Sequence, residues 1–204
     1  MTRARTIETP HGPAAYDIEE PVSEPTALLV LGHGAGGGVD APDIGAVRRA
    51  AVAAGLAVAR VKQPYLVAGR RTPAPAHQLD TAWATVVEKI KIKAPLVVGG
   101  RSSGARVACR TASDLGAAGI VCLAFPLHPP GRPERSRAGE LETGLPTLVV
   151  NGTSDPFGMP AEGPDRTVVQ RPGQRHDLKG DLEGLGVIVV GWLAEHGWAR
   201  TPQG

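Results

Sequence analysis

Gly100-Arg101-Ser102-Ser103-Gly104 decides how the rest of this 204-residue chain is read. Ala94-Pro95-Leu96-Val97-Val98-Gly99 before it is a short apolar stretch of β character, and Ala105-Arg106-Val107-Ala108-Cys109 after it opens a helix suited to packing. A G-x-S-x-G pentapeptide between a buried strand and a helix is the pattern of a sharp turn that lifts a serine above the end of a sheet. So tight a turn strains the serine backbone and excludes bulk two residues to either side, a condition met by Gly100 and Gly104. The helix that follows places its N-terminal N–H groups and dipole beside the hydroxyl, where they favour developing negative charge. Ser102 is the candidate nucleophile.

A serine hydroxyl is a weak nucleophile near neutral pH, so a base must take its proton and a carboxylate must orient that base. On a turn of this kind the order along the chain is serine, acid, histidine. His11, His33 and His77 precede Ser102, His128 lies in the proline-rich run Phe125–Pro130 ahead of a suitable acid, and His196 falls near the end of the last helix. His176 remains, following the strand-like Arg166–Arg171 through a Pro172-Gly173 turn. Leu145–Asn151 reads as the strand before it, and the loop leaving that strand, Gly152–Gly158, holds Asp155 as its only carboxylate. Asp155 is the candidate acid, set against a competing reading as an Asx turn before Pro156. Asp177 is expected to point away, as a helix-entry or solvent-facing residue.

A glycine-rich loop completes the constellation. Thr26–Leu31 is the clearest buried strand in the chain and runs into Gly32-His33-Gly34-Ala35-Gly36-Gly37-Gly38. Such a loop can turn backbone N–H groups toward a tetrahedral oxyanion. Ala35 is the expected first donor, with Gly36 the alternative by a slip of one residue; Ser103 supplies the second donor. His33 then shapes the loop. The rival reading, a phosphate-binding loop, fails because neither G-x-x-x-x-G-K-[ST] nor G-x-G-x-x-G with a downstream acid is present.

With these residues the chain resembles a small α/β-hydrolase of the dienelactone-hydrolase-like kind. The resemblance rests on Leu31–Gly37, Gly99–Ala108, Phe125–Pro133, Asn151–Gly158 and His176, which span most of the chain. It is most similar to the branch shared by compact bacterial hydrolases and the hydrolase domains of testis-expressed and histone-acetyltransferase-complex proteins. That branch usually reads S-M-G-G where this chain has Ser102-Ser103-Gly104-Ala105, which keeps the backbone donor at 103 and alters the pocket wall. The resemblance implies an α/β-hydrolase fold with minimal or no lid.

The alternation of elements points the same way. An opening hairpin (5–7 and 14–18) precedes strand 26–31, a helix near 42–54, strand 56–61 and a helix at 76–91. Strand 96–98, the helix after Ser102 to about Leu115, and strand 119–124 continue it. The last segment, 181–195, contains Val187-Ile188-Val189-Val190, yet Leu182, Leu185, Val189, Trp192 and Leu193 keep helical spacing, so it is read as helix. Alternating strands and helices predict a mostly parallel central sheet covered on both faces, in a single domain over residues 1–204. Aromatics are scarce at 3%, so aliphatic residues and alanine must fill the core. Lys+Arg 22 against Asp+Glu 20 argues against nucleic acid as a partner. The amino terminus lacks an apolar h-region and no run reaches membrane-helix length, so no membrane is expected and the cytoplasm is the default. Cys109 and Cys122 read as reduced packing residues. No metal and no cofactor are expected.

Two loops are expected to shape the pocket, 62–73 and 129–135. Tyr65 is a candidate pocket residue or a packed aromatic, and Gly36 a candidate substrate contact. Arg70, Arg71, Arg101, Arg132 and Arg135 either converge on an anionic substrate or are solvated loop charges, with Arg101 buttressing the turn. The function expected is a serine hydrolase that cleaves a small acyl ester or thioester through an acyl-enzyme; amide cleavage is disfavoured because no leaving-group machinery is visible. The alternatives are a thioesterase for anionic acyl substrates and, from another class, a non-catalytic interaction or scaffold domain. A degenerate scaffold is expected to lose a member of the triad, and this chain keeps all three.

Overall fold

Residues 4–201 are described by the computed structural model. The chain opens with the hairpin β1 (Arg5–Ile7) and β2 (Ala14–Glu19), then runs β3 (Leu28–Gly32), α1 (Pro42–Ala53), β4 (Ala57–Lys62), the short α2 (Pro64–Val67) and α3 (Ala76–Lys89). It continues through β5 (Leu96–Arg101), α4 (Ser103–Thr111), β6 (Gly119–Leu123), β7 (Thr147–Gly152), β8 (Arg166–Arg171) and α5 (Leu182–Glu195). The eight strands form one sheet in the order β1-β2-β4-β3-β5-β6-β7-β8. Strands β4 to β8 run parallel, while β2 pairs antiparallel with both β1 and β4. This is the mostly parallel sheet that the alternation predicts, in the α/β-hydrolase form that the resemblance implies.

The strands are apolar throughout because both faces are covered. Along β3, Leu28 and Val30 join one core while Leu29 and Leu31 join the other, the two-residue period of a strand. The first core is closed by α3 and α4, through Trp83, Val86, Val107 and Ala108. The second is closed by α1 and α5, through Ile44, Val47, Ala51, Leu185, Val189 and Leu193. Trp83 and Phe125 are the largest fully buried side chains; truncating either to alanine costs about 3–5 kcal/mol. Cys109 and Cys122 pack in the first core as free thiols, their sulfurs 3.5 Å apart in a weak hydrogen bond. At the antiparallel edge Asp17 faces Arg60 across the β2–β4 pairing, and the carboxylate accepts two hydrogen bonds from the guanidinium, at 2.9 and 2.7 Å.

Two local differences from the sequence reading have physical reasons. The helix after Ser102 ends at Thr111 instead of near Leu115: Ser113 and Asp114 loosen the ladder into turns, and Gly116 closes it at φ 64°. The loop after β4 contains the one-turn helix α2, entered through Pro64, which is too short for periodicity to reveal. The β-rich tetrad 187–190 is helical, as its spacing predicts, because α5 packs along α1, with Gly186 allowing close approach to Ala50 and Asp181 capping the Gly184 N–H at 2.8 Å.

The parallel register fixes where chemistry can sit. Gly32 at the end of β3 is level with Gly100 on β5, so the loop after β3 and the turn after β5 leave the same sheet edge side by side. The loops after β7 and β8 leave at that edge too. In open α/β sheets ligands bind outside the carboxyl ends of the strands. Between β6 and β7 the described chain contains only a one-turn 3-10 segment, Ala138–Leu141, and no helical lid. Among the described residues no helix is long and apolar enough to cross a membrane.

Candidate active site

The serine turn is held by contact between backbones. Ser102 lies at φ 53°, ψ −110°, a strained conformation for a residue with a side chain, and its N–H donates to Leu123 O at 2.9 Å. Gly100 and Gly104 are small because β3 crosses behind them: a Cβ at 100 would lie 2.5 Å from Gly32 O, and one at 104 would overlap the Gly32 carbonyl. The strain at Ser102 is therefore enforced from three sides by glycine backbone.

The loops after β7 and β8 bring the other two predicted residues to it. His176 Nε2 is 2.9 Å from Ser102 Oγ, and His176 Nδ1 is 2.8 Å from Asp155 Oδ2. An ionised carboxylate only accepts, so Nδ1 carries the proton and Nε2 is free to accept from the serine hydroxyl. Asp155 satisfies both readings of the sequence, since its Oδ1 also accepts from the Phe157 N–H at 2.9 Å, an Asx turn that aims Oδ2 at the imidazole. Buried Asn151 ties the two neighbouring loops together, accepting from Phe125 N–H and donating to Phe125 O. Phe157, which the sequence reading gave no role, stacks on the imidazole with ring centroids 4.2 Å apart.

The glycine-rich loop is shaped by two side chains. His33 Nε2 accepts from the Gln63 N–H at 3.0 Å, so its Nδ1 is the donor to Gly34 O at 2.8 Å. In a trans peptide the C=O and N–H point in opposite directions, so fixing the Gly34 carbonyl also fixes the direction of the Ala35 N–H. Tyr65 Oη donates to Ala35 O at 3.1 Å and fixes the next peptide, which carries the Gly36 N–H. Neither the Ala35 nor the Gly36 N–H has a hydrogen-bond partner among the described residues. Burial pushes the His33 pKa down, partly opposed by the Gly34 hydrogen bond, which keeps the ring in the neutral form this geometry needs. Burial likewise pushes Tyr65 up to about 12, so it remains a donor.

The cleft holding Ser102 has a volume of about 260 Å³. Ala35, Ser102, Ser103 and Phe157 line its catalytic end, Pro73, Ala74, Ala76 and Leu79 one wall, and Arg106, Arg110 and Arg137 another. Tyr65, Arg70, Arg71 and Arg101 are not among these walls. Tyr65 is buried beneath the glycine-rich loop; Arg70 and Arg71 are exposed, Arg70 beside a separate cavity with His11 and Gln78. Arg101 turns inward, its Nε 3.3 Å from the buried Asp43 carboxylate and its Nη2 donating to His176 O at 3.2 Å, so it supports the histidine loop. Burial raises the Asp43 pKa, and the Arg101 charge opposes that shift. Arg132 and Arg135 are exposed on the loop after β6. The arginines that do reach the cleft were not singled out; Arg106 and Arg110, four residues apart on α4, share a helix face that the sequence does display. Among the described residues no group of three His, Cys, Asp or Glu is arranged to hold a metal.

The profile of a family described as an alpha/beta hydrolase domain matches residues 25–171. No curated protein sequence matches the chain. Among solved structures, an α/β serine hydrolase without a lid from Xanthomonas campestris is similar at 19% identity and TM-score 0.82, over 99% of this chain and 97% of that one. Est1E from Butyrivibrio proteoclasticus, solved with ferulic acid bound, aligns at 17% identity and TM-score 0.75 over 93% and 99% of the two chains. Dienelactone hydrolase from Anabaena variabilis aligns at 14% identity and TM-score 0.74 over 98% and 99%. With the profile covering well over half of its length, from the glycine-rich loop through the serine turn to the acid loop, the chain belongs to the α/β-hydrolase family.

Proposed function

We propose that the protein is a serine hydrolase that cleaves small carboxylic esters or thioesters through an acyl-enzyme, in a single catalytic domain. The observation that carries this reading is the continuous chain of hydrogen bonds Ser102 Oγ–His176–Asp155, at 2.9 and 2.8 Å, opening on a cleft with unused N–H groups. Ser102 Oγ attacks the acyl carbon while His176 Nε2 takes its proton, and Asp155 stabilises the imidazolium. The carbonyl oxygen becomes an oxyanion held by the Ala35 and Ser103 N–H groups, with Gly36 next in line. As the tetrahedral intermediate collapses, Nε2 returns the proton to the leaving alkoxide or thiolate, and Ser102 retains the acyl group. Water, deprotonated by the same nitrogen, then attacks and releases the acid. The lidless fold of the Xanthomonas neighbour and the ferulic acid bound to Est1E support a small, readily admitted ester. The motif resemblance supports placing the chain with the compact bacterial hydrolases of its branch.

Hydrolysis of para-nitrophenyl esters and matching thioesters of short acids by the native protein and by Ser102→Ala tests the reading. The native protein is expected to turn over at least one series, with kcat about 10⁶-fold lower in the variant. Equal rates in both proteins refute it.

A further inference from the structure

The third wall of the Ser102 cleft has an unbalanced charge. Arg106 makes a two-pronged ion pair with Glu140, Nε to Oε2 at 2.8 Å and Nη2 to Oε1 at 2.5 Å. Arg110 pairs in the same way with Asp80, at 2.8 and 2.7 Å, and reaches Glu140 Oε2 at 3.3 Å. These two guanidinium groups are matched by two carboxylates. Arg137 is the third, and among the described residues no carboxylate lies within ion-pair distance of it. Its backbone N–H donates to Leu127 O at 2.7 Å and its Nη1 to the Pro126 carbonyl at 2.9 Å. These bonds fix the residue at the rim that Pro126 shares with Ser102 and Phe157. A guanidinium has five N–H donors, and one side-chain donor is used here. Burial, and then the nearby charge of Arg106, lower the Arg137 pKa, and the Glu140 charge, already paired with Arg106 and Arg110, opposes that shift. Pro73, Ala74, Ala76 and Leu79 supply apolar lining to the same cleft.

We propose that Arg137 is the specificity residue of this cleft and binds a carboxylate at the far end of the acyl chain, making the preferred substrates half-esters or half-thioesters of short dicarboxylic acids. The claim rests on the hydrolase reading and extends it. The apolar wall holds the methylene chain, Ser102 attacks the near carbonyl, and the planar guanidinium receives the distal carboxylate in two parallel hydrogen bonds. A cleft of about 260 Å³ admits a chain of this size. Arg106 and Arg110, neutralised by their own acids, build the wall without recruiting the anion.

The test compares three para-nitrophenyl or aryl esters: the hemiadipate, the neutral hexanoate, and the hexanoyl ester of para-hydroxybenzoate, whose anion lies on the leaving group. The native protein is expected to prefer the hemiadipate over the hexanoate at least about tenfold in kcat/KM, mainly through KM. Arg137→Gln is expected to erase that preference, lowering kcat/KM on the hemiadipate by about tenfold more than on the hexanoate, with Arg137→Lys restoring part of it. A preference for the para-hydroxybenzoate ester, equal rates on hemiadipate and hexanoate, or an equal loss on all three esters in Arg137→Gln would overturn the assignment. Calorimetric titration of free adipate into folded Ser102→Ala, with and without Arg137→Gln, reads the anion site without turnover. Binding that requires Arg137 supports the site even if the hydrolase reading fails; no binding, or binding that survives Arg137→Gln, contradicts it.

Discussion

The two flanks of Ser102 are built on opposite principles. On the acid–base flank every polar atom is committed: Asp155 uses one oxygen on the Phe157 N–H and the other on His176, and His176 uses both nitrogens. On the oxyanion flank the side chains His33 and Tyr65 are committed, while the Ala35 and Gly36 N–H groups they orient are left without partners. The first flank stores the proton chain in the resting protein. In the proposed mechanism the second holds donors ready for a charge that does not yet exist, the arrangement that stabilises a transition state more than a ground state. Large empty space is a poorer guide: the groove of about 820 Å³ beside α1 and α5 is lined mainly by alanine, glycine and valine and contains no serine, cysteine or histidine.

Substitutions on the two flanks should therefore fail differently. The largest effect short of removing Ser102 belongs to Asp155→Asn, which keeps the shape but lets the imidazole take the wrong tautomer; kcat should fall by about 10⁴ with the fold intact by circular dichroism. A loss of less than tenfold would place the orienting role elsewhere.

On the other flank, His33→Gln should lower kcat by roughly 10–10² with little change in KM, because it frees the peptide that carries the Ala35 N–H without removing the donor itself. An unchanged kcat would uncouple His33 from the oxyanion loop. Gly104→Ala probes the frame common to both flanks. The added methyl overlaps the Gly32 carbonyl, so unfolding free energy should drop by about 3 kcal/mol, measured by urea titration. A native stability for that variant would show that β3 and α4 have room to part.

The smallest effect is a pH dependence. Burial lowers the folded pKa of His33 from its ordinary 6.5. Between the folded and unfolded values the unfolded chain binds more protons, so stability rises with pH there. The contribution of neutral His33 is present above 6.5 and is lost as pH falls toward the folded value. The stability difference between the native protein and His33→Gln should shrink as the pH is lowered from about 7.5 to 5.5, by up to about 1.4 kcal/mol for each unit between the folded and unfolded pKa values. A constant difference would mean that the ring does not titrate in this window.

How much of this was legible follows from what fixes each residue. The serine turn could be read because backbone packing against Gly32 leaves only glycine at 100 and 104, and that constraint is written in residue types. Asp155 and His176 could be read because parallel β7 and β8 deliver their loops to one edge, so chain order becomes spatial order. The pocket arginines could not be read in this way. Arg70 and Arg71 lie in a loop whose path is set by α2 and the Pro73-Ala74-Pro75 segment before α3, which no periodicity announces. Arg101 faces inward because the buried Asp43, distant in sequence, holds its guanidinium. Arg137 reaches the cleft through one carbonyl, that of Pro126, on an irregular loop. Phe157 was equally silent, since stacking on His176 depends on the Asx turn at Asp155.

Intact-mass analysis after exposure to a fluorophosphonate tests the central claim most directly, because the reagent reacts only with a serine already activated by its base and oxyanion donors. The account predicts one adduct on the native chain, absent from Ser102→Ala and formed far more slowly in His176→Ala. No adduct on the folded native protein, or an adduct that persists in Ser102→Ala, would contradict it.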